Sequence, residues 1–156
     1  MPFLARVLQD GFSALLPRDW TAQREAAVVH SKALRARLGY APRVDLLLER
    51  RDGGRRLWVE FEISRADPVA NHAKFATVHL FQPFDPNDTF VSMVSPHVDR
   101  GRRNLAGNAI DVMRRIGIDA YQTPLLPGLS PAEVKRLNHL EHAEVCASVL
   151  DMSAEL

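Results

Sequence analysis

The feature that most constrains this fold is a pair of strand-like segments joined by a turn. "RVDLLLER" spans 43–50 and "LWVEFEIS" spans 57–64, with "RDGG" at 51–54 between them. The Asp-Gly and Gly-Gly steps accept the positive φ that a tight connection demands. So short a link leaves no room for a crossover, so the strands pair as an antiparallel hairpin with an arginine-decorated tip: Arg50, Arg51, Arg55 and Arg56. Any fold open to this chain contains a sheet with that hairpin in it.

Alternation then sorts the side chains. Val59, Phe61 and Ile63 share one face and read as core, while Glu60 and Glu62 share the other, about 6–7 Å apart along the strand. On the partner strand, Leu46 and Leu48 lie opposite in sense to Asp45 and Leu47. A register that sets Asp45 near Glu60 gathers three carboxylates on one side of the sheet. The simple alternative is a solvent-facing strand surface, common in antiparallel sheets. Against it stands the helix expected next, which should cover one sheet face. A covered face with three acids is costly without a counter-charge.

The flanking sequence alternates helix and strand signals. "DWTAQREAAVVHSKALRARLG" predicts a helix over about 21–38, rich in Ala, Leu, Arg and Glu and stopped by Gly39. "ADPVANHAKFATVHLF" predicts a second, with Asp67 as cap and Pro68 at its first position. "TFVSMVS" is a strand, "VDRGRRN" a basic loop, "LAGNAIDVMRRIG" a helix and "DAYQTPLL" a short fourth strand. Ser130, Pro131 and Glu133 open a final helix over 130–152 with a capping box. The expected fold is α/β: a mixed four-stranded sheet with a hairpin start and helices on both faces. One domain suffices, with 1–20 as an N-terminal extension, 21–125 as the core and the final helix closing that core or packing on a second subunit.

Composition narrows the class. An apolar content of 46% excludes a disordered chain, and no apolar run approaches the roughly 20 residues of a membrane span. Arg6, Gln9 and Asp10 interrupt the first segment, which makes a poor signal peptide and a passable short amphipathic helix. The single Cys146 permits no internal disulfide and fits a reducing, cytoplasmic setting. The net charge of +1 hides a basic first two thirds and an acidic last 40 residues, and 17 of the 20 basic residues are arginine. Arginine suits bidentate phosphate contact, although genomic base composition accounts for the bias equally well.

An oxygen-only cluster of Asp45, Glu60 and Glu62 suits Mg²⁺ or Mn²⁺ rather than zinc. Val44-Asp45, a hairpin, then Glu60-Phe61-Glu62, all after a helix bearing Glu25, resembles the PD-(D/E)XK (restriction-endonuclease-like) nuclease superfamily in element order over 21–125. The resemblance implies that Asp45 and Glu60 bind a divalent metal, with the Phe61 carbonyl assisting. It implies that Glu25 points at the same site. It also implies that the residue at 62 orients the attacking water. Two departures stand out: Val44 replaces a proline, and Glu62 occupies the place of the motif lysine. Some members use glutamate there and others carry the lysine on the next helix, where Lys74 is the candidate. The implied activity is metal-assisted hydrolysis of a nucleic-acid phosphodiester, DNA being the first-choice partner, by a homodimer. Arg65 and the loop of Arg100, Arg102 and Arg103 would contact phosphates. A catalytically inactive member that binds DNA or a protein partner fits the departure at Glu62 as well.

Other chemistries find less support. His139 and His142 lie three apart and His72 and His79 seven apart, but no HExxH or cysteine set accompanies them. No nucleophile elbow supports a serine or cysteine triad. The few aromatics speak against sugar stacking and glycoside hydrolysis.

Overall fold

A computed structural model describes residues 3–64 and 68–139. Helix α1 (Phe3–Leu15) leads into strand β1 (Trp20–Ala27), helix α2 (Lys32–Leu38), strand β2 (Arg43–Arg50) and strand β3 (Arg56–Glu62). Helix α3 (Val69–Phe81), strand β4 (Asp88–Val94), helix α4 (Arg100–Arg115), strand β5 (Asp119–Pro124) and helix α5 (Pro131–Leu137) follow. The strands lie in the order β1-β2-β3-β4-β5. β1, β2 and β3 are antiparallel neighbours, whereas β4 and β5 continue parallel to β3 through helical crossovers. The fold is thus α+β, with a five-stranded mixed sheet rather than the four strands expected.

The extra strand comes from 21–38, where a single helix was expected. The chain instead forms β1, turns at 28–31 and makes only the short α2. Its Ala, Gln, Arg and Glu residues favour a helix intrinsically, but propensity is a weak prior against a full ladder with β2. Val28 and Val29 are both buried, and Ser31 starts α2 by accepting from the Leu34 N–H. The basic loop is corrected too. Asp99 caps α4 by accepting from the Arg102 N–H, so Arg100, Arg102 and Arg103 occupy the first turn of a helix. The final helix shows its capping box at Ser130 and Glu133. Its continuation beyond 139, with His142 and Cys146, lies outside the described residues, as do Arg65 and Asp67.

The hairpin pairs Leu46 with Val59 and Leu47 with Trp58, and Gly53 takes φ +72 in the turn. Its tip arginines are spent on structure: Arg50 on Asp52, Arg55 on Asp119 and Arg56 on Asp88. Two cores sandwich the sheet. Leu46, Leu48, Val59, Phe61 and Ile63 pack against Leu4 and Leu8 of α1 and Val134 and Leu137 of α5. Leu47, Trp58 and Phe90 pack on the other side against Phe75 and Val78 of α3 and Ile110 and Met113 of α4. Helices therefore cover both faces. Among the described residues, no helix is long and apolar enough to cross a membrane.

Candidate functional site

Continuing the hairpin register one step beyond Leu46 and Val59 sets Asp45 against Glu60 on the face that α3 covers. There a cleft of about 430 Å³ opens, and Glu25, Asp45, Glu60, Phe61, Glu62 and Lys74 all line it. Glu60 and Glu62 are not a wet surface: they are 3% and 6% exposed. The bare-surface reading of "LWVEFEIS" is thereby excluded.

Asp45 is half-buried and its Oδ2 accepts the Phe61 N–H at 2.7 Å. A side-chain hydrogen bond joins it to Glu60. Burial pushes the Asp45 carboxyl up from its ordinary range, against the Phe61 and Glu60 hydrogen bonds, which pull it down. Glu60 is pushed up to about 8, first by burial and then by the Asp45 charge, with Lys74 opposing. Two acids this close titrate as a unit and together retain one proton near neutrality. A cation added to the cleft would displace that proton.

Lys74 supplies the positive charge already present. Its Nζ donates to Glu60 Oε1 at 2.9 Å, to the Arg43 carbonyl at 2.8 Å and to Asn71 Oδ1 at 2.9 Å. All three ammonium donors are thus filled by the protein itself. Glu62 sits apart from the pair, its Oε1 accepting from Asn71 Nδ2 at 2.8 Å, so the Asn71 amide links Glu62 to Lys74. Phe61 turns its ring to the opposite core, 5.6 Å from Phe12.

Glu25 reaches the cleft, but from strand β1 and not from a helix. Its backbone has φ +47, a conformation costly for a residue with a side chain. The Arg43 guanidinium accommodates it by donating to the Glu25 carbonyl at 3.0 Å. Besides α3, helix α1 reaches the site. Its Gln9, 1% exposed, donates through Nε2 to Glu25 Oε1 at 3.0 Å and to the Asp45 carbonyl at 2.7 Å. In the sequence Gln9 stands only as an interruption of an apolar run. A polar residue following Leu4, Val7 and Leu8 on the inner side of a helix was the signal that could have revealed it.

The remaining candidates scatter. Arg102 pairs with Asp99, and the Arg103 carbonyl accepts from Gln122. His72 is buried against Phe90 with Nδ1 at the Pro68 carbonyl, while His79 stacks on Phe84 near the Ile116 carbonyl. The two histidines do not converge.

Among the described residues, no group of three or more His, Cys, Asp or Glu side chains is placed to hold a metal ion. The Asp45–Glu60 pair nevertheless fits a hard cation chemically, because Mg²⁺ commonly takes one or two carboxylates and completes its shell with water and phosphate oxygens. With one proton held by the pair, the Lys74 ammonium on Glu60 balances the remaining carboxylate charge, and a divalent ion would take the place of that proton. No family model, curated protein or solved structure matches the chain.

Proposed function

We propose that the chain is a divalent-metal-dependent nuclease of the PD-(D/E)XK type. The observation that carries this reading is the Asp45–Glu60 carboxylate pair, joined across the hairpin at the end of an open cleft with the Lys74 ammonium beside it. Asp45 and Glu60 would hold Mg²⁺ or Mn²⁺, with the Phe61 carbonyl assisting. The bound ion would polarise the scissile phosphate and lower the pKa of its water. Glu62, fixed by Asn71, would accept a hydrogen bond from the attacking water and orient it. Lys74 balances the carboxylate charge and holds Glu60 in place. Arg100, Arg102 and Arg103, in the first turn of α4, would receive phosphates without reading sequence. DNA is the substrate class proposed, and a homodimer the assembly.

Incubation of plasmid with the protein and Mg²⁺ or Mn²⁺ is expected to give nicks. These should vanish with chelator and in Glu60→Ala. Cleavage that survives both treatments would sink the proposal.

A second reading is a nuclease-fold protein that binds without cutting. It is favoured by the saturated Lys74 ammonium, which has no donor left for a phosphate or water. Salt-dependent retention of DNA with no cleavage under any metal is its signature.

A further inference from the structure

We propose that the acid-free segment 26–44, presenting Lys32 and Arg35 on α2 and Arg43 at the cleft rim, is the track that leads a nucleic-acid backbone into the cleft. This rests on the nuclease-fold reading above, but it concerns a surface the metal chemistry does not use. The segment contains no Asp or Glu and four Lys or Arg residues: Lys32, Arg35, Arg37 and Arg43. None of these four cations takes part in an ion pair among the described residues. At the hairpin tip three of the four arginines, Arg50, Arg55 and Arg56, each find an aspartate, and Arg51 donates to the Arg18 carbonyl.

Helix α2 is also hard to explain as a core element. It has seven residues, buries none of them and leans on the core only through half-buried Leu34 and Leu38. So short a helix does not persist in water by itself. Several contacts hold it in place: the Ser31 cap, Gly39 at φ +80, and the Arg37 guanidinium over the Phe81 ring at 4.3 Å. Its exposed side carries Lys32 and Arg35, one turn apart and therefore side by side. The track runs directly into the site. The Tyr40 hydroxyl donates to the Lys74 carbonyl at 3.4 Å, and the Arg43 carbonyl accepts from Lys74 Nζ. Arg43 also lines the cleft.

A row of exposed cations without carboxylate partners matches a polyanion of regular spacing, and the phosphodiester backbone is that polyanion. A bilayer surface fits poorly, because the leucines of α2 turn inward and leave no apolar face to insert.

The test measures binding of a fluorescein-labelled DNA duplex by the full chain in chelator, across a range of NaCl. Lys32→Gln with Arg35→Gln should lower the slope of log affinity against log salt by about 1.8, one unit of roughly 0.9 for each lost phosphate contact. Lys32→Arg with Arg35→Lys should keep the wild-type slope. Arg18→Gln with Arg51→Gln, which removes two exposed cations at the hairpin end, should also keep it. Equal slopes for the α2 neutral variant and wild type, in protein that binds DNA and cleaves it, would overturn the track and leave the nuclease reading standing. Absence of both binding and cleavage in wild type would overturn the two together. Binding of phosphatidylserine vesicles that is lost in the α2 variant, with DNA affinity unchanged, would assign the surface to membranes and also overturn it.

Discussion

At the hairpin end of the sheet Asp88 is 4% exposed, and at the opposite end Glu60 is 3% exposed, yet the two carboxylates have very different surroundings. Asp88 accepts from Arg56 Nε at 2.6 Å and Nη2 at 2.9 Å, from the Trp58 indole at 3.0 Å and from the Asp85 N–H at 2.9 Å. A planar guanidinium matched to a carboxylate, with both oxygens otherwise occupied, is how a structural charge is retired. Glu60 has a single ammonium, a neighbouring acid and a carboxyl pushed up to about 8. The first site is complete as it stands, whereas the second is balanced by a proton that a cation entering the cleft could replace. That contrast separates a fold-holding ion pair from a candidate reaction centre better than burial does.

The largest expected effect breaks the complete site. Arg56→Met strands the Asp88 carboxylate without its counter-charge, and removing one partner of a buried pair is severely destabilising. Because the Arg56 side chain is 35% exposed, water softens the loss, and urea denaturation should show a cost of about 2–4 kcal/mol. A cost below about 0.5 kcal/mol would mean that the bidentate pair is ornamental.

The opposite sign is expected at the other end. Glu60 has a folded pKa of about 8 against an ordinary value of 4.5, so the folded state keeps a proton that the unfolded state releases. Without divalent ions, the stability that this group contributes is therefore full below about pH 4.5, is lost as pH rises to about 8 and stays lost above that. Glu60→Gln removes the titration. It also removes the ionic partner of Lys74, which offsets part of the gain. Thermal or urea unfolding in chelator should find the variant more stable by about 1–2 kcal/mol at pH 9 and no more stable at pH 4. Mg²⁺ at pH 8 should raise the wild-type midpoint and leave that of the variant in place. A variant less stable than wild type at pH 9 would show that the pair is held for structure, like Asp88.

Most of the central site was legible in the sequence because it rests on two short-range rules. Strand alternation put Glu60 and Glu62 on one face, and the Asp-Gly-Gly turn marks the hairpin, while the pairing of Leu46 with Val59 is what brings Asp45 to Glu60. Helix α3 and Lys74 followed from Pro68 and the apolar run after it. The misreadings came where long-range pairing overrode local preference. Residues 21–27 are good helix formers by composition, and only β2, sixteen or more residues away, makes them a strand. The same pairing places Glu25 at the cleft from β1 with a strained backbone, which no periodicity could foretell. The Asp88 network joins residues 32 apart and left no local trace.

The smallest expected effect lies at Gln9, where the two kinds of polar burial meet. Its amide is as buried as Glu60 but uncharged, and it ties α1 to both Glu25 and the Asp45 carbonyl. Gln9→Leu keeps the volume while leaving those two acceptors without their donor, which should cost about 1 kcal/mol in denaturant. The variant should remain folded, since Leu4 and Leu8 still anchor the helix. If Gln9 serves only the fold, the midpoint shift produced by Mg²⁺ at pH 8 will match wild type. If it also positions Asp45 and Glu25 for the ion, that shift will shrink, consistent with the loss of a residue that orients metal ligands without touching the metal.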